Sequence, residues 1–149
     1  MKGPSPRALM ACLMAWLVPG GGHLYLGRRL KGAVFFSVVV TSFLLGLAFE
    51  GRPSVVDRRQ PLLSCLQVFA SVGTGPIEAV ARGRIFGSLV YRLPPEDAGP
   101  VPRSEVGREL RRRTEAPSAP YGTAYLWTAG LMNILLILDA FDIAMGRKR

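Results

Sequence analysis

The sequence predicts an all-α integral membrane protein: a helical hairpin plus two further membrane helices, with a disordered basic loop before the last of them. Three observations carry this. Apolar residues make up 49% of the 149-residue chain, the size of one domain, and mean hydropathy is positive at +0.26. Those residues fall in blocks instead of repeating with helical or strand period. The charge, a net +9 from 19 Lys+Arg against 10 Asp+Glu, lies between and beyond the blocks, as in membrane proteins whose basic loops face anionic lipid. The predicted divisions are a membrane region over 1–92, a flexible Pro/Arg-rich loop over 93–120, and a C-terminal membrane helix with a basic tail over 121–149.

Ala8 to Val18 is an apolar run of 11 residues ended by Pro19. It crosses a bilayer only if the helix continues through the glycines to Leu26; otherwise it is a half-helix or re-entrant piece. Lys2 and Arg7 ahead of it resemble the start of a signal peptide, but no small-residue cleavage site follows Val18, and a removed leader is not expected. Gly32 to Phe49 is 18 residues without a charge, about 27 Å of helix against a hydrocarbon core of about 30 Å. Leu62 to Ile77 is uncharged but interrupted by Gly73-Thr-Gly-Pro76, which predicts a bent span. Leu93 to Pro120 carries six prolines around a charged middle and reads as a loop, with a short surface helix expected from Ser104 to Arg113. Tyr121 to Leu138 is a second uncharged run of 18.

Basic residues then discriminate between layouts. Four crossings with the N-terminus inside place 8 Lys+Arg inside and 11 outside, whereas a layout whose first segment does not cross, leaving three spans, places 13 inside and 6 outside. The positive-inside rule favours the second. Arg outnumbers Lys by 16 to 3, pointing to a GC-rich bacterial source and hence to a multi-pass protein of the cell membrane.

Between the first two runs stands Pro19-Gly-Gly-Gly-His-Leu-Tyr-Leu-Gly27, followed by Arg28-Arg29-Leu30-Lys31-Gly32. Glycines permit a tight turn and close backbone approach, and a tyrosine suits the membrane interface. The stretch resembles the signature of the two-transmembrane, DRF-motif domain family, with His23 at its Asp/His position and Tyr25-Leu26-Gly27 at its end, although the Arg-Phe pair of that signature is absent. The C-terminal Gly130 to Lys148 stretch is similar to the tails of uncharacterised bacterial membrane proteins carrying such a hairpin. The resemblance implies location and architecture, and no reaction.

His23, Tyr25, Arg28 and Arg29 are the candidate binding residues of the turn, against the plainer reading of a hairpin with interfacial anchors. Asp139 and Asp142, three apart on one helix face, are the second candidate pair, for a cation, a proton or simple interfacial salt bridges. Near a helix C-terminus they oppose the macrodipole and require compensating partners; in a layout of three full crossings, His23 and Arg28 are too far away to serve. Asn133 is expected to bond across helices, Glu78 to pair locally with Arg82 or Arg84, and Ser37/Thr41 and Ser42/Gly46 to allow close helix contact.

One His and two separated Cys exclude a Cys/His zinc site and a disulfide framework. With no Gly-x-Ser-x-Gly elbow, phosphate loop or His-Glu-x-x-His, no catalytic residues and no cofactor are expected. Arg111-Arg112-Arg113 is a nucleic-acid footprint only without its usual aromatic company, so nucleic acid is disfavoured. The expected partners are the lipid bilayer and other membrane proteins or a second copy. The expected function is a small non-enzymatic membrane protein that scaffolds or binds partners; a transporter or channel component is the alternative, requiring Glu78, Asn133, Asp139 and Asp142 to line one polar path.

Overall fold

Six helices are built from the residues that a computed structural model describes, 5–56, 60–87, 89–92 and 119–148. They are α1 (Pro6–Leu17), α2 (Gly21–Tyr25), α3 (Arg29–Ala48), α4 (Pro61–Val72), α5 (Pro76–Phe86) and α6 (Ala119–Ala144). No strand forms among the described residues; one isolated bridge joins Val56 to Arg92. Residues 93–118 of the loop expected over 93–120, with its Ser104 to Arg113 helix, lie outside the described residues, and Ala119 and Pro120 belong to α6 instead of the loop.

The frame is the antiparallel pair α3 and α6, the two helices long and apolar enough to cross a membrane. Near the C-terminal end of α3, Gly46 lies against Leu126 and Gly122 at the start of α6. Near the other end, Phe35 meets His23 edge-on and His23 bonds Asp139. Val39, Phe43, Leu126, Ala129 and Leu136 fill the seam, together with Ala81 of α5. Lipid is as apolar as these side chains, so close packing through small residues is what holds such a pair together. A Cβ on Gly46 would sit 2.7 Å from Leu126 Cδ2 and 3.0 Å from the Gly122 carbonyl oxygen, so a larger residue there would force Leu126 to shift.

Two pieces are shorter and broken. Helix α1 starts where Ser5 Oγ accepts the Ala8 N–H at 3.3 Å, with Pro6 in the first turn. It stops at Leu17 because Pro19 disfavours helical backbone at Val18, which is extended (φ −135°, ψ 118°). Gly20 then adopts φ +75° and the chain reverses into α2. Ala8, Ala11 and Ala15 form a buried small-residue face. Gly22 fits against Ala11, Ala15 and Ala140 of α6, where a Cβ would lie 2.6 Å from the Ala11 carbonyl oxygen. The Ala8–Val18 run therefore does not continue through the glycines, and the half-helix alternative is the one observed.

The second broken piece is α4–α5, bent by 114° at Gly73–Gly75. The break falls at the Gly73-Thr-Gly-Pro76 interruption, and the second arm runs on to Phe86. Beyond it, the Tyr91 carbonyl accepts the Val56 N–H at 2.8 Å. Val56 is four residues from Gln60, a reach of at most about 14 Å, so the chain returns to the end of the bundle from which it left. The His23–Asp139 contact puts the glycine motif and the C-terminus at one end of the bundle, where the layout of three full crossings expects them on opposite faces.

Candidate functional site

Polar side chains inside this apolar bundle gather in three places, all resting on α6. The first is at the α2 end. Helix α2 closes on Gly27 (φ +81°), with Arg28 N–H bonded back to the His23 carbonyl at 2.8 Å, a C-terminal cap of the Schellman type. This turn directs His23 inward: it is fully buried, and its Nε2–H donates to Asp139 Oδ2 at 3.0 Å. A carboxylate acceptor places the imidazole proton on Nε2, leaving Nδ1, which is buried and has no hydrogen-bond partner. Gly146 (φ +73°) caps α6 in the same way, with Arg147 N–H bonded to the Asp142 carbonyl at 2.9 Å. The tail thereby folds back over the acids: Lys148 Nζ donates to Asp139 Oδ1 at 2.6 Å, and Arg147 stands 3.5 Å from Asp142 Oδ1. The bond to Asp139 raises the Lys148 ammonium above the usual lysine range.

The second place is buried more completely. Glu78 in the first turn of α5 lies four residues before Arg82, 2% and 0% exposed. Arg82 gives Nε and Nη2 to Glu78 Oε1 at 2.8 and 2.5 Å, Nη2 also to the Ser54 carbonyl at 2.8 Å, and Nη1 to the Val90 carbonyl at 2.5 Å. Its guanidinium covers the Tyr91 ring at 4.2 Å, a cation–π contact. Tyr91 Oη reaches Glu78 Oε2 at 3.4 Å, and burial, then the Glu78 carboxylate, push its phenol pKa up. Trp127 Nε1–H donates to Ser54 Oγ at 2.7 Å, tying the cluster to α6.

The third place is where the two breaks meet. Asn133 of α6 donates Nδ2–H to the Gly73 carbonyl at 2.9 Å. Gly75 is packed on the Trp16 carbonyl of α1, and Gly130 on the Ala70 carbonyl, with no room at either for a Cβ. Asn133 Oδ1 and Thr74 Oγ1 remain buried and unbonded here.

The sequence-predicted residues are distributed unevenly over these places. His23 and Asp139 come together across 116 positions. The expectation that His23 is too distant to compensate Asp139 fails with the three-span layout that motivated it. Tyr25 and Arg29 point outward, Arg28 is half-buried, and Asp142 pairs with Arg147 instead of sharing a ligand with Asp139. Asn133 bonds across helices and Glu78 pairs with Arg82, as the sequence indicates. Arg52, Ser54, Tyr91 and Trp127 were not singled out; only their place beside the ends of apolar runs marks them. Among the described residues no group of three or more His, Cys, Asp or Glu could hold a metal ion.

Helices throughout the described residues, two or three of them apolar enough to span, define a membrane-type helical protein. The chain belongs to a family of unknown function, DUF6677, whose model covers residues 10–149. No curated protein and no solved structure matches it. The match gives no support to the two-transmembrane, DRF-motif name that the glycine turn resembles.

Proposed function

We propose that this is a non-enzymatic, multi-pass protein of the bacterial cell membrane that scaffolds or binds partners through its helix faces. In this reading α3 and α6 cross the bilayer, while α1–α2 and α4–α5 dip in from opposite faces and meet halfway. The observation that carries it is the separate commitment of the four side chains a conducting path would need. Glu78 is held by Arg82, Asn133 by the Gly73 carbonyl, Asp139 by His23 and Lys148, and Asp142 by Arg147. Large apolar residues meanwhile face outward, with Leu62, Leu66 and Phe69 of α4 82, 64 and 61% exposed, available to lipid or to another helix.

Cross-linking in intact cells followed by native purification tests the reading. A stoichiometric membrane partner, or a second copy, supports it; recovery of the uncross-linked monomer alone opposes it. The layout has its own test in a chain whose Cys12 and Cys65 are replaced. Gln60→Cys and Leu89→Cys are expected to label from one face, and Arg29→Cys and Arg147→Cys from the other.

Transport is the second reading, favoured by one observation: two broken helices meet beside the unbonded oxygens of Asn133 and Thr74. Discontinuous helices with free oxygens at mid-depth are how many transporters hold ions. Unchanged solute or ion flux in Asn133→Ala and Asp139→Asn vesicles would remove it.

A further inference from the structure

We infer that the groove between α3 and α5 binds an anionic phospholipid, its phosphate on Arg52 and Arg84 and an acyl chain along Phe43 and Leu47. The inference rests on the membrane reading above and names the partner of one particular face. The groove has a volume of about 560 Å³, within the range of small-molecule sites. Its walls are apolar, with Leu44, Ile77, Val80 and Ile85 completing them, and its charged residues are Glu50, Arg52 and Arg84.

Position along the helix matters first. Phe43 to Ala48 is the last stretch of α3, and Arg52 follows the helix end by four residues. If α3 spans, its end marks the boundary of the hydrocarbon, where phosphates lie, and the wall from Leu47 back to Phe43 runs into the acyl region. One amphiphile thus matches both ends of the groove. A soluble anion would leave the apolar wall unused, and a neutral lipid would leave the arginines unused.

Arg52 is also held in place as a binding group would be. Its backbone N–H donates to Thr123 Oγ1 at 3.2 Å, and its carbonyl accepts from the same hydroxyl at 3.4 Å. The preceding Gly51 is packed directly on Gly122, leaving no room for a side chain. These bonds fix the Arg52 backbone; of its side chain, Nη1 is buried without a hydrogen-bond partner. The guanidinium as a whole lines the groove, and paired N–H donors of this kind suit a phosphate. Arg84 is exposed on α5 across the groove, adding a second positive charge for the same headgroup.

The test uses the full chain purified in mild detergent, with phosphatidylglycerol or phosphatidylcholine of the same acyl chains added before native mass spectrometry. Phosphatidylglycerol is expected to give one retained adduct, held about tenfold better than phosphatidylcholine, as charge-assisted hydrogen bonds predict. The pair Arg52→Gln/Arg84→Gln should abolish that preference, while Arg28→Gln/Arg29→Gln at the other end should leave it intact. Leu44→Trp, which fills the groove from the α3 side, should displace the lipid even if the arginine pair fails to fold. Equal retention of the two lipids, equal loss in the Arg28/Arg29 variant, or displacement of the adduct by inorganic phosphate would overturn the site. Extraction of the wild-type chain from membranes by alkali would instead overturn the membrane reading beneath it.

Discussion

The two broken helices are built alike and fastened differently. Both start with proline, run for 12 residues, break at glycine and proline, and pack on α6. Behind the second break, Arg82 satisfies its donors on Glu78 and on the Ser54 and Val90 carbonyls, sealed from solvent. Behind the first, His23 makes one bond through Nε2 and leaves Nδ1 empty, and its partner Asp139 is 26% exposed. In a low-dielectric interior a complete polar network fixes one geometry, whereas an incomplete one keeps a cost that a small change can relieve. The comparison therefore assigns rigidity to the Glu78–Arg82 cluster behind the α4–α5 break, though not to the break itself, where Thr74 Oγ1 and Asn133 Oδ1 are unbonded, and leaves adjustment to the α1–α2 end.

The largest effect follows from breaking the complete network. Arg82→Met would leave Glu78 as an unpaired charge at 2% exposure, and the two carbonyls without their donors. Removing one partner of a buried pair costs about 3–5 kcal/mol. Denaturation of the purified protein in mixed micelles should show a loss of that order, and Glu78→Gln/Arg82→Met should lose less than Arg82→Met alone. If the double variant is the less stable, the cluster is not an ion pair whose parts compensate one another.

An intermediate effect is expected at the other break. His23→Ala removes the single bond to Asp139 and opens a space beside Phe35, but Asp139 keeps Lys148 and some solvent. Leaving one hydrogen-bonding partner unsatisfied costs about 1–3 kcal/mol, so the loss should fall below that of Arg82→Met. Hydrogen exchange should separate the two variants further. His23→Ala should speed exchange in α2 and at the end of α6 alone, while Arg82→Met should also release the 52–56 and 89–92 segments. Global loosening by His23→Ala would reverse the assignment of rigidity.

These differences mark which features the sequence could carry. Helices α3 and α6 were legible because an uncharged run of sufficient length has one use, and the Gly73–Pro76 break because its residues cannot continue a helix. Glu78 with Arg82 was legible too, being four apart on a helix. The His23–Asp139 bond was not, since its partners are 116 positions apart and meet only because the chain folds back between α3 and α6. The fold-back includes backbone pairing of Val56 with Tyr91, which leaves no mark on apolar runs or charge counts. The counts in fact favoured a layout with an odd number of crossings. Arg52 was passed over for a similar reason: its anchoring through Thr123 joins residues 71 apart.

Alkaline titration gives the smallest effect and touches both fastenings at once. Tyr91 lies in the complete cluster and Lys148 in the incomplete one, and both have pKa values raised in the folded protein, Tyr91 by burial and Lys148 by its bond to Asp139. A group whose folded pKa is raised contributes stability that is fully present below its unfolded value and lost as pH rises through the folded value. Those unfolded values are 10.0 for the tyrosine and 10.5 for the lysine, so stability should hold through neutral pH and decline only above about 10. Lys148 is 62% exposed on its side chain and its bridge is screened by salt. Lys148→Gln should therefore remove a small, salt-sensitive part of the decline, and Tyr91→Phe a part that salt leaves alone. Micelle denaturation between pH 8 and about 11 at low and high salt would distinguish them, and equal salt sensitivity in the two variants would mean that the Tyr91 cluster is no better shielded than the exposed tail.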